Sequence, residues 1–315
     1  MGKKIFFKKY SLLPFDLHTF GRYVPIIAGL RSSFLANYDV VINTSGNYSP
    51  IFFRSFIKKY FFYIYNPKPF FYASEKYDRN LLWHLYLIPE QIAVKKSMSC
   101  INGQELIAVS NFTKWRIKKF WGKDSTTIYP PVDCEKFRTS NLKRNGIITI
   151  GRFSSGKNHA MQITLAKYFP ELTFRICGSA NEPESQLILK ELKKMSENME
   201  LKNVEFFPNI SFNKLIGLIS ESKFFLHTTF NEDFGLTTCE TIIGGCVPLV
   251  HNSGGSVEIV PYRELRFNDL YEAKERLKML LKTDTYRFQN KLQTHIMNNY
   301  SEGIFKNRII SKIFK

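Results

Sequence analysis

The chain has 315 residues, 44% of them hydrophobic and 23% charged, which suits a globular protein of two domains and excludes a disordered or collagen-like chain. Its 45 Lys and Arg against 27 Asp and Glu give a formal net charge of +18, and residues 1–144 alone hold 23 bases against 9 acids. That half suits an anionic partner (nucleic acid, lipid surface or phosphorylated substrate), or it is simply a solvated basic surface.

No run reaches 18 apolar residues, and the start, MGKKIFFKKYSLLPF, has no small-residue cleavage site, so neither a transmembrane helix nor a signal peptide is expected. Cys100, Cys134, Cys177, Cys239 and Cys246 form no CxxC pair. They read as reduced, buried thiols of a cytosolic protein, with no zinc site.

In chain order, residues 4–7 could form a first strand, and DVVIN at 39–43 is a better one, ending in the turn Thr44-Ser45-Gly46-Asn47. The aromatic and lysine stretch 52–72 contains a strand candidate, 61–65. It reads as a buried strand with an exposed loop, or as a lip seated in a membrane. Residues 81–99 have helical spacing, 106–109 suit a strand, and Ser110 to Thr113 suit a cap for a helix over 114–121. A strand at 126–129 follows, and the polar 138–145 reads as a linker.

Beyond it strands and helices alternate: strand 147–150, helix 159–168, strand 173–177, helix 184–197, strand 204–207, helix 212–220, strand 224–228, helix 236–243 and strand 247–250. This is the pattern of a parallel, doubly wound sheet. The tail from Leu270 is mostly helical, with a basic amphipathic piece over 300–314.

Two stretches carry chemistry. Gly151-Arg152-Phe153-Ser154-Ser155-Gly156-Lys157-Asn158 lies between a strand and a helix, where glycines, free helix-start amides and two cations can cradle a diphosphate. It lacks Walker spacing, and it could also be a basic turn with Asn158 as helix cap. The second stretch holds Glu232 on a loop after a strand and Glu240 two turns into the next helix. Each carboxylate can accept hydrogen bonds from two neighbouring hydroxyls, while the Phe234, Gly235 and Leu236 amides face any anion between them. Alternatively, Glu232 merely favours the helix dipole and Glu240 is a surface residue.

With an E-x7-E after a strand and an Arg/Lys pair on an earlier loop, the second half resembles the family 4 retaining glycosyltransferases of the GT-B fold. IYPPVD (128–133), GKNHAMQI (156–163), HTTFNEDFG (227–235) and VPLVHNSGGSVEIV (247–260) are similar, more narrowly, to the eukaryotic-type mannosyltransferases that extend dolichol-linked oligosaccharide. YDVVINTSGNY and AVSNFTKWRI look like first-half counterparts. The resemblance runs over roughly residues 38–260.

It implies two Rossmann-like doubly wound domains facing a cleft, the first shortened: a basic acceptor-side domain over 1–140, completed by 300–315, and a nucleotide-sugar domain over 145–299. Arg152 and Lys157 would bind the donor diphosphate and, with Glu232 on the sugar hydroxyls, form the catalytic set. Glu240 would hold the ribose, with Gly151, Phe234, Gly235, Leu236 and Thr237 also at the donor. The implied reaction is metal-independent and needs no cofactor beyond the donor substrate, mannose moving from GDP-mannose to a lipid-linked glycan at an anionic membrane surface, on its cytoplasmic side.

The family's first glycine-rich loop is not recognisable, and Tyr65 stands where relatives carry an acceptor-site histidine. The acceptor side is accordingly read as Tyr65 with Asn43, Ser45 and Gly46. Another donor such as UDP-glucose, a non-lipid acceptor, a degenerate sugar-nucleotide binder and a nucleic-acid binder stay open as alternatives, although no specific nucleic acid is expected.

Overall fold

The computed structural model describes residues 38–44, 59–67, 88, 92, 105–139 and 144–314. The chain divides into two compact units, Met1–Ile107 with Trp115–Thr126, and Ala108–Lys114 with Thr127–Lys315. Ser45 and Gly46, the strand expected at 4–7 and the region of the missing glycine loop lie outside the described residues. Of the helix expected over 81–99, only Ile88 and Ile92 are described, both helical.

The first sheet has the order β1 (Val40–Asn43), β2 (Lys59–Ile64), β3 (Glu105–Ala108) and β4 (Thr126–Thr127). β1 and β2 run parallel, with Asn43 opposite Phe62. Tyr60 to Ile64 are all buried, so the aromatics of this strand are core residues, while the rest of the stretch 52–72 lies mostly outside the described residues. Helix α1 (Asn111–Trp121) follows β3 and begins three residues before its expected start.

In the second unit a one-turn helix, α2 (Cys134–Phe137), that the sequence did not announce precedes the second sheet. That sheet combines β5 (Ile147–Ile150), β6 (Phe174–Gly178), β7 (Val204–Pro208), β8 (Phe224–His227), β9 (Val247–His251) and β10 (Arg266–Phe267) in the order β10-β9-β8-β5-β6-β7. Every pair is parallel. The helices between them are α3 (His159–Ala166), α4 (Pro183–Asn198), α5 (Phe212–Glu221), α6 (Leu236–Ile243) and the short α7 (Ser256–Ile259). α8 (Leu270–Lys282), α9 (Tyr286–Tyr300) and α10 (Glu302–Ile313) complete the chain.

The apolar strands Ile147–Ile150, Phe224–His227 and Val247–Val250 are buried on both faces, as a helix-covered parallel sheet requires. Strand order runs outward through β6 and β7 on one side of β5, and through β8, β9 and β10 on the other. The chain therefore reverses its direction of growth between β5 and β8, and loops leaving the carboxyl ends of those two strands diverge around a crevice where ligands bind in such sheets. Among the described residues no helix is long and apolar enough to cross a membrane.

Candidate active site

Both sequence motifs lie at that switch point. β5 leads into Gly151 to Asn158, and β8 leads into Thr228 to Gly235. The charged side chains of the two loops meet: Lys157 Nζ stands 2.6 Å from Glu232 Oε2, with side chains 30% and 21% exposed. His227, the last residue of β8 and 4% exposed, brings Nε2 to 3.3 Å from the same oxygen. Burial opposes ionisation of Glu232. The adjacent His227 and then Lys157 outweigh it and hold the carboxyl down to about 2.

The backbone explains why these groups meet. The stem of Lys157 lies across Gly151, where an added Cβ would come within 3.3 Å of Lys157 Cδ. Ser155 to Lys157 form a single 3-10 turn, and Asn158 follows in the left-handed region at φ 50°, a conformation Asn tolerates. Its side chain makes no cap hydrogen bond to α3, so the expected capping role is filled by backbone conformation alone.

A buried polar chain ties the first loop to β8. His159 Nε2 lies 3.1 Å from Arg152 O and Nδ1 3.1 Å from Gln162 Oε1, while Gln162 Nε2 donates to Thr228 Oγ1 at 2.7 Å. Thr228 Oγ1 then donates to Lys157 O at 2.7 Å. Both ends of the Arg152–Lys157 loop are thereby fixed from beneath.

The Glu232 loop is braced by the turn after β9. Gly255 N–H donates to Glu232 O at 2.7 Å, and Asn231 N–H donates to Ser253 Oγ at 2.8 Å. Gly254 sits at φ 69°, and a Cβ there would stand 2.6 Å from Glu232 N, so glycine is required both by conformation and by close approach. On the other side Ser110 Oγ donates to Asp233 O at 2.5 Å. None of His159, Gln162, His227, Thr228 or Ser253 to Gly255 was given a role from sequence. The polar residues that follow the apolar runs Phe224–Leu226 and Val247–Val250 are the signal that could have pointed to them.

The remaining predicted residues are placed as follows. Arg152 does not join Glu232: its Nη1 leans to Glu182 Oε1 at 3.7 Å, both side chains being well exposed, a contact of little energetic weight. Gly235, at φ 110°, opens α6, whose first amides, those of Leu236 and Thr237, have no partner within the helix. Phe234 is buried, its ring 5.7 Å from that of Tyr129 and 5.3 Å from that of Tyr300. Only its backbone can face a ligand. Glu240 is half-buried on α6, and burial raises its pKa. In the first unit Asn43 ends β1, and Tyr65 is 40% exposed, edge-on to Tyr63 at 5.3 Å. No group of three or more His, Cys, Asp or Glu able to hold a metal ion occurs among the described residues.

Such a site can place a cation against a phosphate and an ionised carboxylate against hydroxyls, with helix-start amides beside both.

Comparison with known proteins agrees with this chemistry. Residues 134–287 match the family described as Glycosyl transferases group 1. A mouse (Mus musculus) protein named GDP-Man:Man(3)GlcNAc(2)-PP-Dol alpha-1,2-mannosyltransferase is 34% identical over 164 residues, 46% of this chain and 33% of its own length. Its Dictyostelium discoideum namesake is 27% identical over 218 residues, 62% of this chain and 43% of its own. The chain thus spans from about a third to under half of these curated relatives. Among solved structures, a glycosyltransferase from Rickettsia africae superposes with a TM-score of 0.72 at 17% identity, covering 98% of this chain and 83% of the other. Anabaena Alr3699/HepE in complex with UDP superposes with 0.75 at 16%, covering 94% and 83%. These likenesses, with the two α/β units, show the GT-B fold expected from the sequence.

Proposed function

We propose, from the match of residues 134–287 to the group 1 glycosyl transferases, a retaining glycosyltransferase that moves mannose from GDP-mannose to a lipid-linked glycan. The observation that carries this reading is the 2.6 Å approach of Lys157 and Glu232 across the switch point of the second sheet. A diphosphate bound there takes Lys157, and Arg152 turns from its exposed contact with Glu182 to meet it. The Leu236 and Thr237 amides add dipoles. Glu232 accepts hydrogen bonds from the sugar, and Glu240 from the ribose.

The acceptor hydroxyl attacks the anomeric carbon from the face the diphosphate leaves. The carbon–oxygen bond to phosphate breaks as the new one forms, and the departing phosphate oxygen takes the hydroxyl proton. Stabilising charge on that oxygen is the main contribution of Lys157 and Arg152, because only interactions stronger in the transition state accelerate the step.

The donor is assigned to residues 145–299 and the acceptor to 1–140, near Asn43, Ser45, Gly46 and Tyr65. The basic excess of residues 1–144 supports docking on an anionic membrane surface, as a peripheral protein on its cytoplasmic side.

The test is release of nucleoside diphosphate from GDP-mannose, UDP-glucose and other sugar nucleotides, with and without a dolichol-linked trimannosyl acceptor. Transfer from GDP-mannose is expected. Transfer from UDP-glucose instead would keep the enzyme and change the donor, and no turnover with any of them would overturn the reading. Flotation with vesicles containing or lacking anionic lipid tests the membrane surface separately.

A further inference from the structure

His227 is buried, yet neither ring nitrogen makes an aligned hydrogen bond among the described residues. Buried polar atoms are nearly always paired, so this imidazole calls for an explanation. Among the described residues its polar approach is Nε2 to Glu232 Oε2, the oxygen that Lys157 already holds. Two cationic or donating groups on one oxygen are redundant in the unliganded protein.

They are not redundant once a donor arrives. Lys157 is on a flexible four-carbon stem and is the group drawn to phosphate, whereas His227 is fixed at the end of β8. A carboxylate mostly withdrawn from water and deserted by Lys157 would take up a proton. It would then lose its capacity to accept from two sugar hydroxyls.

We propose that His227 is a positioning residue that keeps Glu232 ionised and oriented when the donor diphosphate takes Lys157 away. The inference rests on the donor-site reading above. The titratable and charged groups that face His227 are Glu232, Lys157 through Glu232, and His251 on the neighbouring strand β9, whose own pKa is lowered by burial first and in part by the His227 charge. Phe225, whose ring centroid lies 5.9 Å from that of His227, carries no charge.

The experiment compares wild type, His227→Phe and His227→Gln, with GDP and GDP-mannose binding measured separately and turnover followed against pH. GDP engages Lys157 without needing Glu232, so its affinity should be unchanged in both variants. His227→Phe should bind GDP-mannose about tenfold more weakly, the scale of one lost hydrogen bond to a charged group, and its acid limb of turnover should move to higher pH. His227→Gln keeps a donor near the Nε2 position without a charge. It should restore GDP-mannose affinity at neutral pH while its acid limb stays raised.

Unchanged GDP-mannose affinity and pH profile in His227→Phe would overturn the proposal, as would equal loss of GDP and GDP-mannose. If His227→Phe does not fold, the acid limb of His227→Gln decides alone: raised supports the proposal, unmoved overturns it. Failure of wild type to bind any sugar nucleotide would instead remove the donor-site reading and this inference with it.

Discussion

Lys157 and Glu232, 75 residues apart in sequence, are brought to 2.6 Å because β5 and β8 are neighbours in the sheet and their loops leave at the same edge. Lys157→Ala and Glu232→Ala are each expected to cut turnover by at least about tenfold while the fold survives. The two should differ in binding: Lys157→Ala weakens free GDP, and Glu232→Ala weakens GDP-mannose but not GDP. Isothermal titration with both ligands distinguishes them.

Glu232 also predicts how stability responds to acid. Its folded pKa of about 2 lies below the ordinary carboxylate value of 4.5, so its contribution is fully present above about pH 4.5 and is lost as pH falls from there towards 2. Glu232→Gln should flatten the acid limb in that window, leaving the rest of the profile unchanged. Urea titrations at about pH 3, 4 and 6 compare the slopes.

Gly254→Ala should be destabilising by about 2 kcal/mol, because the added Cβ meets the backbone of Glu232 and the position has φ 69°. Gly156→Ala, where an added Cβ meets nothing within 4 Å, is the control and should be near neutral. Denaturant midpoints for the pair test the brace directly.

The Glu258 carboxylate accepts from the Asn111 and Phe112 amides, at 3.0 and 2.9 Å, and from Tyr129 Oη at 2.8 Å. It therefore caps the first turn of α1 from 147 residues away. Glu258→Ala should lose about 1–2 kcal/mol, the usual scale for removing an N-cap, measured by thermal or urea unfolding.

Cys177 and Cys246 are buried with pKa pushed up to about 12, by burial above all, and burial also raises that of Cys239 well above the ordinary thiol value. The thiolate is the reactive form, so these three should label with a thiol reagent only on unfolding. The half-buried Cys134 should label sooner. Site-resolved mass spectrometry after timed labelling shows the order.

The parts of this fold legible in the sequence are those with enough residues to display a period. β5 at 147–150 and α6 at 236–243 fall where apolar spacing and flanking glycines put them. α2, α7 and β10, with four, four and two residues, are too short to show one. α1 starts earlier than its sequence suggests because Glu258, a distant residue, supplies the cap that extends the helix back to Asn111. At the site, residue type and spacing pointed to Lys157 and Glu232. They could not show that Arg152 leans toward Glu182, nor that His227 ends its strand against the carboxylate, since both depend on where neighbouring strands stop.

The turn Ser253-Gly254-Gly255, with Ser110 opposite, holds the main chain on either side of Glu232 by three hydrogen bonds to backbone atoms. The ordering entropy of this loop is therefore spent during folding, before any ligand is present. What a ligand must still reorganise is side-chain torsion alone, so the free energy of each new hydrogen bond to the carboxylate is retained as affinity and not consumed in freezing a loop.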